Sequence, residues 1–267
     1  MPPARPDESV RGFFAYHLKQ QREKAKLSQP ALGQLLHVSG SLISGIETCT
    51  RTPGFRLCQA MDGVFGLDMF FECLHPRLIE ETGLPASFPE FTDAEANATM
   101  VRLYENFVIT GLFQTVDYAR AVLRAGQRAD KLEELVTARM DRQEILTREE
   151  PPMIVALLDE FAVRRWFGDR DIMRAQLEHL LELARRPNIT IHIVPDRAQI
   201  CPEGAFTILS FPTEPDVAYI ESIGGWGRMI DTGTRVAELG VKFERIRSLT
   251  LSASDSEKLI QDILESL

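Results

Sequence analysis

Hydrophobic residues recur at helical spacing through the first third of the chain. Five successive segments carry such a stripe: Phe14 and Leu18; Leu32, Leu35 and Leu36; Ile43 and Ile46; Leu57, Met61, Val64 and Phe65; and the segment 68–81. Ser28 and Ser39 stand just before the second and third stripes, where an N-cap residue is expected. Thr52-Pro53 and Gly66 interrupt the pattern. The hydrophobic pattern therefore predicts five helices packed as one all-α unit.

The pattern changes after a joint at residues 82–92, which contains two Gly/Pro interruptions. Helices are predicted at about 93–106, 115–125, 130–148, 171–186, 232–249 and 254–266. Strands are predicted at 153–160, 189–195, 206–212 and 217–222. The first two strands are separated by a long helix, which allows a parallel pair. The back of the chain is thus predicted to be a mixed α/β domain with a small sheet.

Charge is distributed unevenly along the 267 residues. The formal net charge is −9, yet residues 1–60 hold 8 Lys and Arg against 4 Asp and Glu, leaving 22 against 35 in the rest. The front is therefore +4 and the back −13. Because binding depends on the local potential within a Debye length of about 10 Å, this acidity does not exclude DNA binding by the front.

Cysteine and histidine spacing does not predict a metal site. Cys49, Cys58, Cys73 and Cys201 form no CxxC pair, and the five histidines are scattered, without a second His or a Cys at i+3 or i+4. Free thiols, the absence of an eighteen-residue apolar run and a polar, proline-rich start predict a cytoplasmic protein without membrane contact or cofactor.

The second and third predicted helices have the layout of a helix-turn-helix. Two helices that cross closely need a small residue at the crossing, and Gly33 lies there at a cost of roughly 1 kcal/mol in helical propensity. Ile43 and Ile46 then face inward, whereas Ser41, Leu42, Ser44 and Gly45 are predicted to face outward. That outward face is where such a motif contacts DNA.

The segments REKAKLSQ (22–29), VS (38–39), ISGIE (43–47) and RTP (51–53) carry a family resemblance. Residues 12–70 resemble the xenobiotic-response-element and phage-repressor class of helix-turn-helix domains. The resemblance implies that Gln29 and Arg51 bind the DNA backbone and that the third helix enters the major groove. The candidate DNA-contacting residues are Lys26, Gln29, Ser39, Gly40, Ser41, Leu42, Ser44, Arg51 and Thr52.

This segment departs from the family at the recognition helix, which has no Lys or Arg. Gly40 and Gly45 replace long polar side chains, and His37 replaces the usual turn glycine. An arginine bound to guanine contributes about 1–3 kcal/mol of discrimination, which this helix lacks. We therefore expect readout by hydroxyls and by Leu42 against thymine methyls, with a homodimer on two half-sites. A helix-turn-helix that serves only for docking is the alternative.

The back domain has no motif for catalysis. Asp159 and Glu160 stand next to each other at a strand end, but helix capping and pairing with Arg164 or Arg165 explain them better than acid–base chemistry. The glycine-rich segment 221–231 has neither GxxxxGK nor GxGxxG after a strand, and a hairpin or flexible loop with an exposed Trp226 is expected. No catalytic residue, metal ligand or cofactor-binding residue is predicted, and the chain is not expected to be an enzyme.

Four segments carry a second resemblance: 104–123, 138–165, 180–195 and 206–212. They are similar to the C-terminal domain of WhiJ-like, antitoxin-like regulators of actinobacteria. This resemblance implies a regulator of double-stranded operator DNA that works with a small protein encoded by a neighbouring gene. A metabolite-sensing regulator and an enzyme fused to a DNA-binding domain are the alternatives.

The two resemblances together fix the predicted organisation. The fold class is α+β: a five-helix, lambda-repressor-like helix-turn-helix domain precedes the mixed α/β domain. The predicted bounds are a polar tail at 1–11, the DNA-binding domain at 12–81, a linker at 82–92 and the regulatory or partner-binding domain at 93–267. The predicted function is a DNA-binding repressor or autoregulator.

Overall fold

A computed structural model describes residues 6–82, 87–126, 131–199, 204–222 and 226–267. The chain divides into two compact units. The first, called here the helical unit, comprises Met1–Asp93 with Ile223–Arg228. The second, the sheet unit, comprises Ala94–Ser222 and Met229–Leu267.

The five predicted helices of the front are confirmed. They are α1 (Val10–Lys24), α2 (Gln29–Leu35), α3 (Gly40–Glu47), α4 (Phe55–Phe65) and α5 (Phe70–Thr82). Ser28 and Ser39 are N-caps whose hydroxyls accept from the backbone N–H groups of Ala31 and Leu42. Gly66 ends α4 in the left-handed conformation, with φ of 64°. The core of the unit contains Phe14, Leu18, Leu32, Ile43, Ile46, Met61 and Phe71.

A sixth helix, α6 (Phe88–Asn97), is separated from the end of α5 by five residues, 83–87. The division between the two units falls inside this helix, after Asp93. Half of the predicted linker is therefore helical, although residues 83–86 lie outside the described ranges.

The sheet unit contains a sheet with six strands among the described residues: β1 (Met100–Glu105), β2 (Met153–Asp159), β3 (Ile189–Val194), β4 (Phe206–Ser210), β5 (Val217–Ser222) and β6 (Trp226–Ile230), of which residues 226–228 are counted with the helical unit. Its remaining helices are α7 (Val116–Gly126), α8 (Leu132–Arg142), α9 (Glu160–Arg164), α10 (Arg170–Ala184), α11 (Gly233–Arg247) and α12 (Ala253–Ser266). The predicted α+β class and the four predicted strands are confirmed.

The strand order is β3-β2-β1-β4-β5-β6. β1, β2 and β3 are parallel and connected through helices, whereas β4 is antiparallel to both β1 and β5. One face packs against α11, where Phe206, Ile208 and Phe243 belong to the same buried cluster. At the β3 edge, the Ser256 hydroxyl of α12 accepts from the backbone N–H of Ile193 at 2.8 Å. Side-chain pairing of this kind satisfies an edge strand that would otherwise stay open.

One prediction for the back domain is wrong, and two others are confirmed in part. The helix predicted at 93–106 is the end of α6 followed by β1, because residues 100–105 pair with β2 and β4 along their whole length. The segment 226–230 is a strand that lies next to β5 in the sheet, which fits the predicted hairpin and not the flexible loop; the Trp226 side chain lies outside what the structure describes. The helix predicted at 130–148 ends at Arg142 and continues as a 3-10 turn, Gln143–Leu146.

Three glutamines hold the segment between β1 and α7. The Gln114 amide donates to the Ile109 carbonyl at 2.6 Å, and the Gln176 amide donates to the Phe113 carbonyl at 2.7 Å. Gln143 donates to the carbonyls of Gly111 and Gln114. Buried backbone groups outside a helix or strand need such partners. These bonds hold residues 109–114, which lie inside the segment 104–123 that carries the second resemblance.

Candidate nucleic-acid interface

The crossing of α2 and α3 has the close approach that the sequence predicted. A Cβ added to Gly33 would lie 2.6 Å from the carbonyl oxygen of Val38 and 3.0 Å from the amide nitrogen of Gly40. His37, in the turn, adopts φ of 55°, a left-handed conformation that histidine tolerates better than most residues. Both departures from common residue choice are therefore accounted for by the geometry of the turn.

The solvent-facing side of α3 carries hydroxyl groups. Ser39 and Ser41 are exposed, with their hydroxyl oxygens 2.9 Å apart, and Ser44 is half-buried. Gly40 lies against the start of α2, where an added Cβ would be 2.9 Å from the Cα of Pro30. Leu42 is half-buried and packs against the core of the helical unit, so it faces outward less than predicted.

Arg51 lies across Gly45 of α3. A Cβ at Gly45 would be 2.6 Å from the Cγ of Arg51 and 3.3 Å from the hydroxyl oxygen of Thr50. The missing side chain at this position is thus replaced by the stem of an arginine from the next loop. The recognition helix α3 has no Lys or Arg, but Arg51, which packs against it, carries a guanidinium group.

Gln29 belongs to a hydrogen-bonded network at the start of α2. Its side-chain nitrogen donates to Glu47 at 2.8 Å, and Glu47 also pairs with Arg22 through two hydrogen bonds of 2.6 and 2.9 Å. The side chains of Arg22 and Glu47 are only 11% and 4% exposed. The amide nitrogen of Gln29 has a second hydrogen besides the one donated to Glu47, and this bond fixes the orientation of the amide group.

The remaining predicted residues flank these groups. Lys26 is exposed and takes φ of 57° just after α1, and Thr52 is half-buried beside Arg51. Sequence reasoning missed the start of α4, where Gly54 is an N-cap without a side-chain hydrogen bond and Arg56 is exposed in the first turn. A glycine N-cap followed by an arginine was the available signal, because helix N-termini attract anions.

Comparison with known families agrees with both units. A helix-turn-helix domain matches residues 14–69, which include α2, α3 and Arg51. A domain of unknown function, DUF5753, matches residues 88–262, well over half of the chain. The chain belongs to the DUF5753 family. No curated protein matches it. The helix-turn-helix match supports a DNA-binding regulator, while the DUF5753 domain carries no assigned function.

The carboxylates singled out in the DUF5753 domain have structural roles. Asp159 caps α9 by accepting from the Phe161 N–H at 2.9 Å. Glu160 accepts from Arg164 at 2.6 Å and from the Asp196 N–H at 3.1 Å. These contacts confirm the capping and pairing predicted from the sequence. Burial, with Glu160 and Asp196 adding to it, raises the pKa of Asp159.

Two further observations apply to the described ranges of this DUF5753 protein. No group of three or more His, Cys, Asp or Glu side chains is arranged there to hold a metal ion. No helix in those ranges is long and apolar enough to span a membrane.

Proposed function

We propose that the protein is a sequence-specific DNA-binding transcriptional regulator of the repressor or autoregulator type. The observation that carries the proposal is the outward face of α3, where hydroxyls stand in the open and Arg51 covers Gly45. Hydroxyls can donate to or accept from base edges, whereas Arg51, Gln29, Lys26 and Thr52 are suited to phosphates. Ser39, Gly40, Ser41, Leu42 and Ser44 are the proposed groove-facing residues.

A homodimer is part of the proposal. One recognition helix without a cationic side chain lacks the strongest base contact available to this motif. Two recognition helices on half-sites about 34–36 Å apart would double the number of DNA contacts. They would also make binding specific for a site with two-fold symmetry. A symmetric operator is therefore expected.

The first test is a fluorescence-anisotropy titration of the full chain. The probe is a duplex from upstream of its own gene, with a scrambled duplex as control. Tighter binding to the upstream duplex is expected, and Gln29→Ala with Arg51→Ala should weaken it. Equal, weak binding to both duplexes would overturn the proposal in favour of a docking role for the helix-turn-helix.

We also propose that the DUF5753 domain docks a small protein encoded by a neighbouring gene, in an antitoxin-like arrangement. An exposed aromatic patch supports this proposal: the rings of Phe107 and Phe161 lie 6.5 Å apart and the side chains are 59% and 50% exposed, and Trp166, five residues beyond Phe161, is 53% exposed. Arg165 places its guanidinium carbon 5.4 Å from the Phe161 ring centre. Aromatic residues and arginine are the types enriched in protein interfaces.

The docking proposal is tested by co-expression of the chain with the neighbouring small protein. The double variant Phe161→Ala, Trp166→Ala should lose the co-purifying protein, because truncating an aromatic hot spot of an interface costs about 2 kcal/mol or more. The matched control is Val241→Ala, Leu249→Ala, which removes two other exposed apolar side chains. Unchanged recovery with the aromatic variant would exclude the patch.

The alternative, a metabolite sensor, has weaker support. Two depressions of about 500 and 290 Å³ lie on the sheet unit, the first beside Arg102, Glu244 and Arg245. Both are open to solvent, whereas small-molecule sites commonly enclose 70–90% of the ligand surface. A thermal-shift screen would favour the sensor if a metabolite at 100 times its dissociation constant added about 2.7 kcal/mol of stability.

A further inference from the structure

Two carboxylates of α6 contact the start of α4. Glu90 pairs with Arg56, with 3.0 Å between its carboxylate oxygen and the Nε of the arginine. The Gly54 N–H donates to the Asp93 carboxylate at 3.3 Å. All four residues belong to the helical unit. An acidic helix thus meets the two donors that sequence reasoning overlooked.

The backbone of α6 comes unusually close at this contact. A Cβ added to Gly54 would lie 2.9 Å from the Cα and 3.1 Å from the amide nitrogen of Glu90. Phe91, between the two carboxylates, is buried with 2% of its surface exposed. The helix is therefore seated on α4 by packing and not only by charge.

Arg51 connects this contact to the recognition helix. Its positive charge acts on the Asp93 carboxylate, and its side-chain stem packs on Gly45 of α3. The same arginine was predicted from family resemblance to hold the DNA backbone. The charge of Arg51 therefore already interacts with one anion, the Asp93 carboxylate.

Arg51, Arg56 and the Gly54 N–H are all hydrogen-bond donors suited to anions. Guanidinium groups and exposed backbone N–H groups at helix starts are the groups that hold DNA phosphates. A carboxylate in the same place satisfies the same donors, since it is an anion with two acceptor oxygens. Phosphate and carboxylate would then compete for them.

We propose that α6 is an internal phosphate mimic, in which Glu90 and Asp93 occupy a DNA-backbone site formed by Arg51, Arg56 and the Gly54 N–H. DNA binding is restrained while α6 remains in place and strengthens when it leaves. This inference rests on the proposed DNA-binding function and names its regulation. The whole of α6 lies within the DUF5753 match, and its last four residues belong to the sheet unit, where Arg142 binds Glu95 through two hydrogen bonds.

The test compares variants of the full chain in the anisotropy titration against the upstream and scrambled duplexes. Glu90→Gln with Asp93→Asn removes both carboxylates, and Gly54→Ala displaces α6 without changing charge. The matched control, Glu23→Gln with Asp68→Asn, removes two other negative charges of the helical unit. Thermal unfolding of each variant checks that it folds.

A gain of about fivefold or more in specific affinity is expected for the carboxylate variant and for Gly54→Ala, in the range of ordinary regulatory coupling. The salt dependence should also steepen, by about one further ion for each arginine released. If wild type binds specifically and the carboxylate variant gains no more than the control, the mimic is excluded while the proposed function stands. If no variant distinguishes the two duplexes, the proposed function itself fails.

Discussion

At the residue scale, two glycines of the helical unit have opposite surroundings. Gly33 of α2 has the Val38 carbonyl 2.6 Å from where a Cβ would be, whereas Gly63 of α4 has nothing within 4 Å. We predict that Gly33→Ala destabilises the protein by about 1–3 kcal/mol, because backbone must move. Gly63→Ala is the control and should stabilise it by up to about 1 kcal/mol through helical propensity. Urea unfolding of both variants measures the difference; equal effects would contradict the close crossing.

The buried ion pair of Arg22 with Glu47 gives a second prediction at this scale. Arg22→Ala would leave Glu47, whose side chain is 4% exposed, without its cation. Removing one member of a buried pair costs about 3–5 kcal/mol. Lys19→Ala is the control, since Lys19 and its partner Glu23 are 53% and 49% exposed and such pairs contribute at most about 1 kcal/mol. Similar unfolding free energies for the two variants would show that the Gln29 network does not hold the motif together.

At the element scale, the success of sequence reasoning depended on where each element is stabilised. The helices α1 to α5 carry local signals, such as the Ser28 and Ser39 caps and the Gly66 terminus, and all were predicted. β1 was not, because its MVRLYE string contains good helix formers and becomes a strand only through pairing with β2 and β4. The proposed role of Glu90 and Asp93 was not predicted either, because no local pattern distinguishes these two residues from those of an ordinary linker.

The contact between α6 and the start of α4 includes the Asp93 carboxylate, and it predicts that DNA binding depends on pH. Burial raises the pKa of Asp93 to about 7, although the Gly54 N–H and Arg51 oppose that rise and Glu90 adds to it. The Cys58 thiol of α4, on which the Asp93 charge also acts, has a pKa raised mainly by burial and stays neutral. Above pH 7 the Asp93 carboxylate is charged and competes for Arg51; below it the proton removes that competition. Specific affinity should therefore rise as the pH falls from 8 to 6.

Asp93→Asn separates this effect from that of every other ionisable group, since all the others are present in both proteins. The ratio of variant to wild-type affinity should be largest at pH 8 and approach one at pH 6. Stability has a related sign: the folded-state pKa exceeds the ordinary value of 3.8, so wild type loses stability as the pH rises from about 4 to 7, and the variant loses less. A ratio that stays constant across the range would contradict a titrating Asp93.

At the scale of the whole molecule, the charge distribution poses a choice between two kinds of electrostatics. The chain carries −9 overall, but its first 60 residues hold 8 basic against 4 acidic residues. If repulsion between the whole acidic chain and DNA dominated, added salt would screen it and affinity would rise. If local contacts to phosphates dominate, added salt must weaken binding through counterion release.

We predict the second behaviour, with affinity falling between 50 and 200 mM salt. Each phosphate neutralised contributes a slope of about −0.9 in a plot of log affinity against log salt. Arg51→Ala should make the slope shallower by about one per protomer, since that side chain lies at the recognition helix. Glu257→Gln with Asp262→Gln removes two charges from α12 of the sheet unit and should leave the slope unchanged. A positive slope for wild type would mean that the acidic bulk of the chain, and not the helix-turn-helix, governs its encounter with DNA.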